Sequence, residues 1–497
     1  MMRGTTFFLM LSAPIASFAY AGVAEPAGER KVFRYGDEAG GGGGALIHDY
    51  ANRWVEVVGT EERYLFDEVG RSDDTIELLD RSRDVRLKVH TDRGELRLPN
   101  ASAWQPWQRG TWIGMSDLPA AIRFVPSDQK IRLVYFVPRD REPTAHFEEK
   151  IRVVMEVVAE LYADLKWQGY PTAGFTFPTD SQGRPIVYLV RTDRPAQYYS
   201  GAPGRDDARH FEKIARDIPA GVASPLRHMI VLFPETYEPG PAPVEWQPSI
   251  GRGVHISADG GLAIMSAWIL RDEFCATTYA AQKKLIMDAT PIKGRASFEF
   301  GKPDSPRFEF IEDGFGATAH ELGHAMGLPH DIRDVDDIMF QGFRHLQVHY
   351  LPASAKRPRL RFSNENARLL GVSRYLVPET DRTDNTPPSA QLAFRLSKGR
   401  VPKLMVSIKA TDDRALRAAV FYDRPHDTVI GGTELRGKNQ TLELALPLDT
   451  KLPGGRDLFT LLSSTERAAG PGGRPILTLL ADAGGNIVFI ESPLASP

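Results

Sequence analysis

The chain holds one cysteine, Cys275, in 497 residues. No internal disulfide can form, so every fold in it must be held by packing. Cys275 reads as a buried, inert thiol. No stretch approaches the 18 consecutive apolar residues of a membrane span. The charges nearly cancel, 61 Lys and Arg against 64 Asp and Glu. A net charge of −3 leaves no electrostatic footprint for nucleic acid. No G-x-S-x-G nucleophile motif is present. The run Gly40 to Gly44 lacks the Gly-Lys-Ser/Thr of a phosphate loop and reads as a flexible link.

What the chain does have is Thr318-Ala319-His320-Glu321-Leu322-Gly323-His324-Ala325-Met326-Gly327-Leu328-Pro329-His330. His320 and His324 lie four residues apart, so on a helix both imidazoles leave one face and can grip one Zn²⁺. Gly327 can take the left-handed conformation that ends the helix, and Pro329 cannot continue it. The reversal returns His330 as a third ligand. Glu321, beside the first ligand, is placed to act as a base without binding the metal. Three neutral imidazoles leave the ion an open position, as a catalytic site requires.

This pattern, His320-Glu321-x-x-His324-x-x-Gly327-x-x-His330, resembles the signature of the metzincin zinc endopeptidases. That resemblance implies a methionine turn downstream, and Met339 within Asp337-Ile338-Met339-Phe340 stands where it is expected. Met339 would form a soft floor under the imidazoles. Asp331 after His330 and Ile338 before Met339 resemble the adamalysin branch, but the cysteines of that branch are absent. Gln341 replaces the tyrosine of astacin-like and serralysin-like members, so the branch stays open. Asp331 is read as an acceptor for the methionine-turn backbone. The strand Gly261-Leu262-Ala263-Ile264 is a candidate substrate-binding edge, with an interior strand as the alternative. Asp331, Asp334, Asp336 and Asp337 offer oxygens to Ca²⁺, but their spacing matches no EF-hand and a solvated acidic turn accounts for them.

The fold class expected is multidomain: an α/β (α+β) metzincin-like catalytic domain with a mixed sheet and an active-site helix. A small β-domain would precede it and a β-sandwich follow it. Residues 1–24 read as a secretory signal, with Arg3, an apolar run from Phe7 and an Ala19-Tyr20-Ala21 cleavage site. Residues 25–44 read as a Gly-rich leader. Residues 45–128, with short alternating strands and Trp104, Trp107 and Trp112, read as a β-rich accessory or pro-domain. Residues 129–376 alternate strand and helix and hold the motif. Residues 377–390 read as a Pro-containing linker, and 391–497 as an immunoglobulin- or fibronectin-like sandwich.

The function expected is that of an exported zinc endopeptidase, extracellular or periplasmic, acting on protein or peptide. Glu321 would serve as general base and then acid. Two alternatives stand beside it: a zinc-binding adhesin or substrate-binding protein without peptidase activity, and a zinc hydrolase of a non-protein amide. Oligomeric state is not legible.

Overall fold

The computed structural model describes residues 30–36, 43–59, 61–119, 122, 124–163, 174–199, 208–237, 251–298, 302–351, 360–397, 399–453, 455–463 and 474–495. The expected signal sequence lies outside these residues, as do 25–29 and 37–42 of the expected leader.

Eight strands close into an antiparallel barrel, each paired to the next and β1 to β8. They are β1 Val32–Tyr35, β2 Gly44–Tyr50, β3 Arg53–Val58, β4 Glu61–Arg71, β5 Ile76–Asp80, β6 Val85–Val89, β7 Arg93–Arg97 and β8 Gln105–Ile113. Period-two alternation puts Leu46, Trp54, Ile76, Leu78, Leu87 and Val89 into one core. Trp107 and Trp112 join it, with ring centroids 4.7 Å from Tyr35 and 5.2 Å from Phe33. The leader is thereby corrected: Val32–Tyr35 closes the barrel. Four residues between charged neighbours and glycines are too short a run to show their alternation.

The middle of the chain carries a five-stranded sheet of order β10-β9-β11-β13-β12. Its strands are β9 Arg132–Val137, β10 Val187–Arg191, β11 Met229–Pro234, β12 Gly251–His255 and β13 Gly261–Met265. Four are mutually parallel and β12 runs antiparallel at one edge. The helices here are α1 Phe147–Ala163, α2 Ala196–Tyr199, α3 Ala208–Arg216, α4 Tyr279–Ile286, α5 Arg307–Ile311, α6 Ala317–Ala325, α7 Leu346–His349 and α8 Asn364–Leu370. A single π-helical turn, Glu312–Gly316, joins α5 to α6. Phe343 explains the packing of that turn, since a Cβ at Gly316 would strike its backbone.

The last unit has strands β14 Ser389–Ser397, β15 Lys403–Thr411, β16 Leu416–Asp423, β17 Thr428–Glu434, β18 Asn439–Pro447, β19 Arg474–Asp482 and β20 Ile487–Ala495, with helix α9 Leu458–Ser463. They form one hydrogen-bonded sheet of order β17-β16-β19-β20-β14-β15-β18. The two end strands approach each other, because a Cβ at Gly431 of β17 would meet Leu446 of β18 at 3.1 Å. The expected two-sheet sandwich is thus corrected to one strongly curled sheet. Strand spacing alone reports the number of strands, not which edges pair.

The expected fold class is corrected as a whole. Among the described residues strand outweighs helix, and a closed eight-stranded barrel and a curled seven-stranded sheet dominate, which is not the α/β metzincin-like architecture expected. Arg227 fixes the barrel to the middle unit. Its guanidinium is buried and donates to Asp49 at 3.0 Å and to Glu62 at 2.9 Å.

Candidate metal centre

Helix α6 carries His320, Glu321 and His324. It ends in two overlapping backbone hydrogen bonds: Gly327 N–H donates to His324 at 2.9 Å, and Leu328 N–H to Gly323 at 3.0 Å. This pairing requires a left-handed residue after the cap, and Gly327 has φ +91°. The chain then turns back, and His330 meets the other two imidazoles. The three Nε2 atoms lie 3.0 to 3.1 Å from one another.

Each ring is oriented from behind through Nδ1. His320 Nδ1 donates to Ile338 O at 2.7 Å and His324 Nδ1 to Leu328 O at 2.8 Å. His330 Nδ1 lies 2.5 Å from Asp427 Oδ2. With Nδ1 as the donor, each Nε2 presents a lone pair. Burial holds His320 well below its usual value, and the neighbouring imidazoles add to this. Burial also brings His324 down to about 4. Three neutral lone pairs aimed at one point repel unless a cation lies between them. Their spacing falls within a few tenths of an ångström of the ~3.3 Å expected for tetrahedral nitrogen ligands on Zn²⁺. The donor set therefore fits zinc.

Met339 is fully buried beneath α6, and a Cβ at Gly323 would come 2.5 Å from its Sδ. Asp331 does not hold the turn by its carboxylate, which takes Arg333 at 2.6 and 2.8 Å. Only its amide reaches the turn, donating to Met339 O at 3.1 Å. The acceptor is instead Asp337, whose Oδ1 receives the Met339 amide at 2.7 Å and whose Oδ2 receives the Ser363 amide at 2.6 Å. Its signal was present in the sequence, since Asp commonly accepts from the amide two residues on. Among the described residues each of the four aspartates has another partner: Asp331 is paired to Arg333, Asp334 to Arg361, Asp336 faces His345 at 3.6 Å, and Asp337 accepts from backbone amides. Cys275 is buried, which pushes its thiol upward.

The candidate edge strand is also corrected. Gly261, Leu262, Ala263 and Ile264 sit in β13, paired on one side to β11 and on the other to β12. All four are buried. Among the described residues the strand at the edge is β12, and it lies directly over α6. A Cβ at Gly251 would stand 3.1 Å from Glu321 Oε1, and one at Gly253 would collide with the Glu321 carbonyl and crowd His324. Glycines at alternate positions are what let the strand approach this closely.

The third side of the site comes from the C-terminal sheet. Besides Asp427, Val429 N–H donates to His330 O at 3.0 Å. A Cβ at Gly327 would reach Ile487 at 2.9 Å, and the Phe489 ring lies tilted beside His255 with centroids 5.9 Å apart. None of these residues was legible as part of the site.

No family model matches the chain, and no curated relative is similar to it in sequence. Among solved structures, it is similar to catalytically inactive OgpA from Akkermansia muciniphila in complex with an O-glycopeptide substrate. The identity is 14%, over 75% of this chain and 94% of that one, with a TM-score of 0.48. Wild-type OgpA gives 15%, 76%, 96% and 0.46. A β-glucosidase from Listeria innocua gives 9%, 74%, 46% and 0.16. The closed barrel and the curled sheet are not the architecture that the resemblance implied, so the resemblance is corrected. A short motif specifies a helix, a turn and a ligand set; the rest of the chain specifies the fold.

Proposed function

We propose that the chain is a zinc-dependent hydrolase of peptide bonds. The observation that carries this is the convergence of three Nε2 lone pairs, each ring held by an Nδ1 hydrogen bond, beside Glu321. His320, His324 and His330 would hold the ion, and when bound it supplies Lewis acidity for amide hydrolysis.

Glu321 takes a proton from the attacking water and delivers it to the leaving amine nitrogen. Its side chain lies against Gly251, where a larger residue would displace it. The edge of β12 that pairs with no strand among the described residues offers backbone amides and carbonyls to an extended peptide, which can add as a further strand. An extended main chain seated there lies over Glu321. Such recognition favours a peptide over a non-protein amide. Among the described residues no helix is long and apolar enough to cross a membrane.

The experiment is zinc analysis and cleavage of casein or a peptide library, on the wild type and on Glu321→Gln. Zinc in both, with chelator-sensitive cleavage in the wild type alone, supports the reading. Wild-type protein that retains no zinc at neutral pH would overturn it.

A further inference from the structure

A second group of metal-ligating oxygens lies far along the sequence from the histidines. One carboxylate oxygen from each of Asp384, Asp412 and Asp413 falls within 4.8 Å of the other two. Asp384 precedes β14, and the other two form the turn between β15 and β16. Such a cluster on a surface would be unremarked, but Asp384 is 2% exposed and its Oδ2 has no hydrogen-bond partner among the described residues. Asp412 is half-buried, and its Oδ1 is covered and without a partner among the described residues. The backbone has been shaped around the carboxylate, since a Cβ at Gly484 would lie 2.8 Å from Asp384 Oδ2.

Among the described residues no ion pair reaches these three carboxylates, and Arg414 offsets the Asp384 charge only through space. The Arg414 guanidinium is turned to Asp381 at 2.8 Å, leaving only its amide for Asp412. Arg374 spends its donors on the Gly484 carbonyl, the Asp384 carbonyl and the Asp259 carboxylate. Asp482, fully buried behind the group, accepts from the Asn486 amide at 2.9 Å and its side chain at 2.8 Å, and adds a fourth carboxyl. Burial and the neighbouring aspartates push Asp384 up to about 6 and Asp482 up to about 7. A buried carboxylate oxygen without a partner costs free energy that a cation would recover.

We propose that Asp384, Asp412 and Asp413 form a second cation site, taking Ca²⁺. The donors are all carboxylate oxygens with no imidazole or thiolate, which selects a hard cation over zinc. The site sits at a junction. Asn385, next to Asp384, donates to Asn52 of the barrel at 2.7 Å. Arg374 ties Asp384 and Gly484 to Asp259 beside β13. A cation here joins the segment before β14 to the curled sheet, the same sheet that delivers Asp427 to His330. The proposal stands independently of the histidine site.

The test uses the full chain, zinc-loaded, in buffer freed of Ca²⁺ on a chelating resin. Ca²⁺ is titrated by calorimetry and by thermal unfolding, on the wild type and on Asp384→Asn/Asp412→Asn. The wild type takes up one Ca²⁺ per chain, and its unfolding midpoint rises by about 2–10 °C at saturation. The variant shows neither effect, while its zinc content is unchanged. Without Ca²⁺ its midpoint equals or exceeds that of the wild type, because two repelling carboxylates have been neutralised. No uptake by the wild type at millimolar Ca²⁺, or equal uptake by the variant, overturns the proposal. So does a variant that unfolds earlier in Ca²⁺-free buffer while wild-type stability ignores Ca²⁺, since Asp384 would then be only a structural acceptor.

Discussion

Asp427 Oδ2 lies 2.5 Å from Nδ1 of His330, although 97 residues separate the two. Asp427 stands between β16 and β17 with φ +55°, a left-handed conformation that Asp tolerates better than most residues. Its other oxygen accepts from the Tyr422 hydroxyl. The C-terminal sheet therefore orients the third imidazole of the candidate centre. Backing of this kind fixes the ring and its tautomer, and losing it typically costs about 10–100-fold in metal affinity or activity. Asp427→Ala should lose zinc to a competing chelator by about that factor. Asp427→Asn keeps an acceptor without the charge and should fall between. Equal zinc retention in all three proteins would show that the contact does not orient the ligand.

Gly253 should tolerate no side chain. A Cβ there meets the Glu321 carbonyl oxygen and the His324 Cβ at once, both on a rigid helix. Gly253→Ala must push β12 away from α6 or displace the helix. The expected outcome is loss of about tenfold or more in kcat/KM, with about 1–3 kcal/mol lost in stability. Peptide cleavage and urea unfolding check this. A fully active variant would mean that β12 does not lie over the helix as described.

The local part of this candidate site was legible because its three histidines sit within one helix and one turn. His320, His324, Gly327 and His330 follow from helix geometry and the conformational freedom of glycine. Asp427, Ile487 and Phe489 reach the site only through the pairing of distant strands, which no local pattern encodes. The barrel was half legible: alternation in Ile76–Asp80 and Val85–Val89 marks strands, but closure depends on the β1–β8 pairing. The edge strand was misplaced for a physical reason. Gly261–Met265 is apolar throughout, the mark of a strand buried on both faces. Gly251–His255 is glycine-rich and partly polar, so it carries no period-two signal.

Arg227 should be costly to remove. Its guanidinium is buried and shared between Asp49 and Glu62 of the barrel, with further bonds to Ser127 and Val125. Burial acts against its charge, and the two carboxylates more than offset this, raising its value. Arg227→Met leaves Asp49 and Glu62 beside an apolar side chain. Breaking a buried pair from one side typically costs about 3–5 kcal/mol. The variant should unfold at lower urea, and limited proteolysis should cut between the barrel and β9. A change below about 0.5 kcal/mol would show that solvent reaches the pair.

Glu312, in the π-helical turn before α6, sets a pH dependence of stability. Burial pushes its carboxyl up to about 8, with Asp313 and Glu309 adding to this and the Gln347 amide, at 2.8 Å, opposing it. In the unfolded chain the group titrates near 4.5. Between those values the folded chain holds one proton more than the unfolded chain. Its contribution to stability is therefore full below about pH 4.5, falls as pH rises toward 8, and is level beyond. The slope from this one group is at most about 1.4 kcal/mol per pH unit. Glu312→Gln keeps an acceptor for the Gln347 amide and removes the titration. Urea unfolding at pH 5 and pH 8 should show the variant gaining on the wild type at the higher pH. An equal difference at the two values would show that Glu312 is ionised in the folded chain at both.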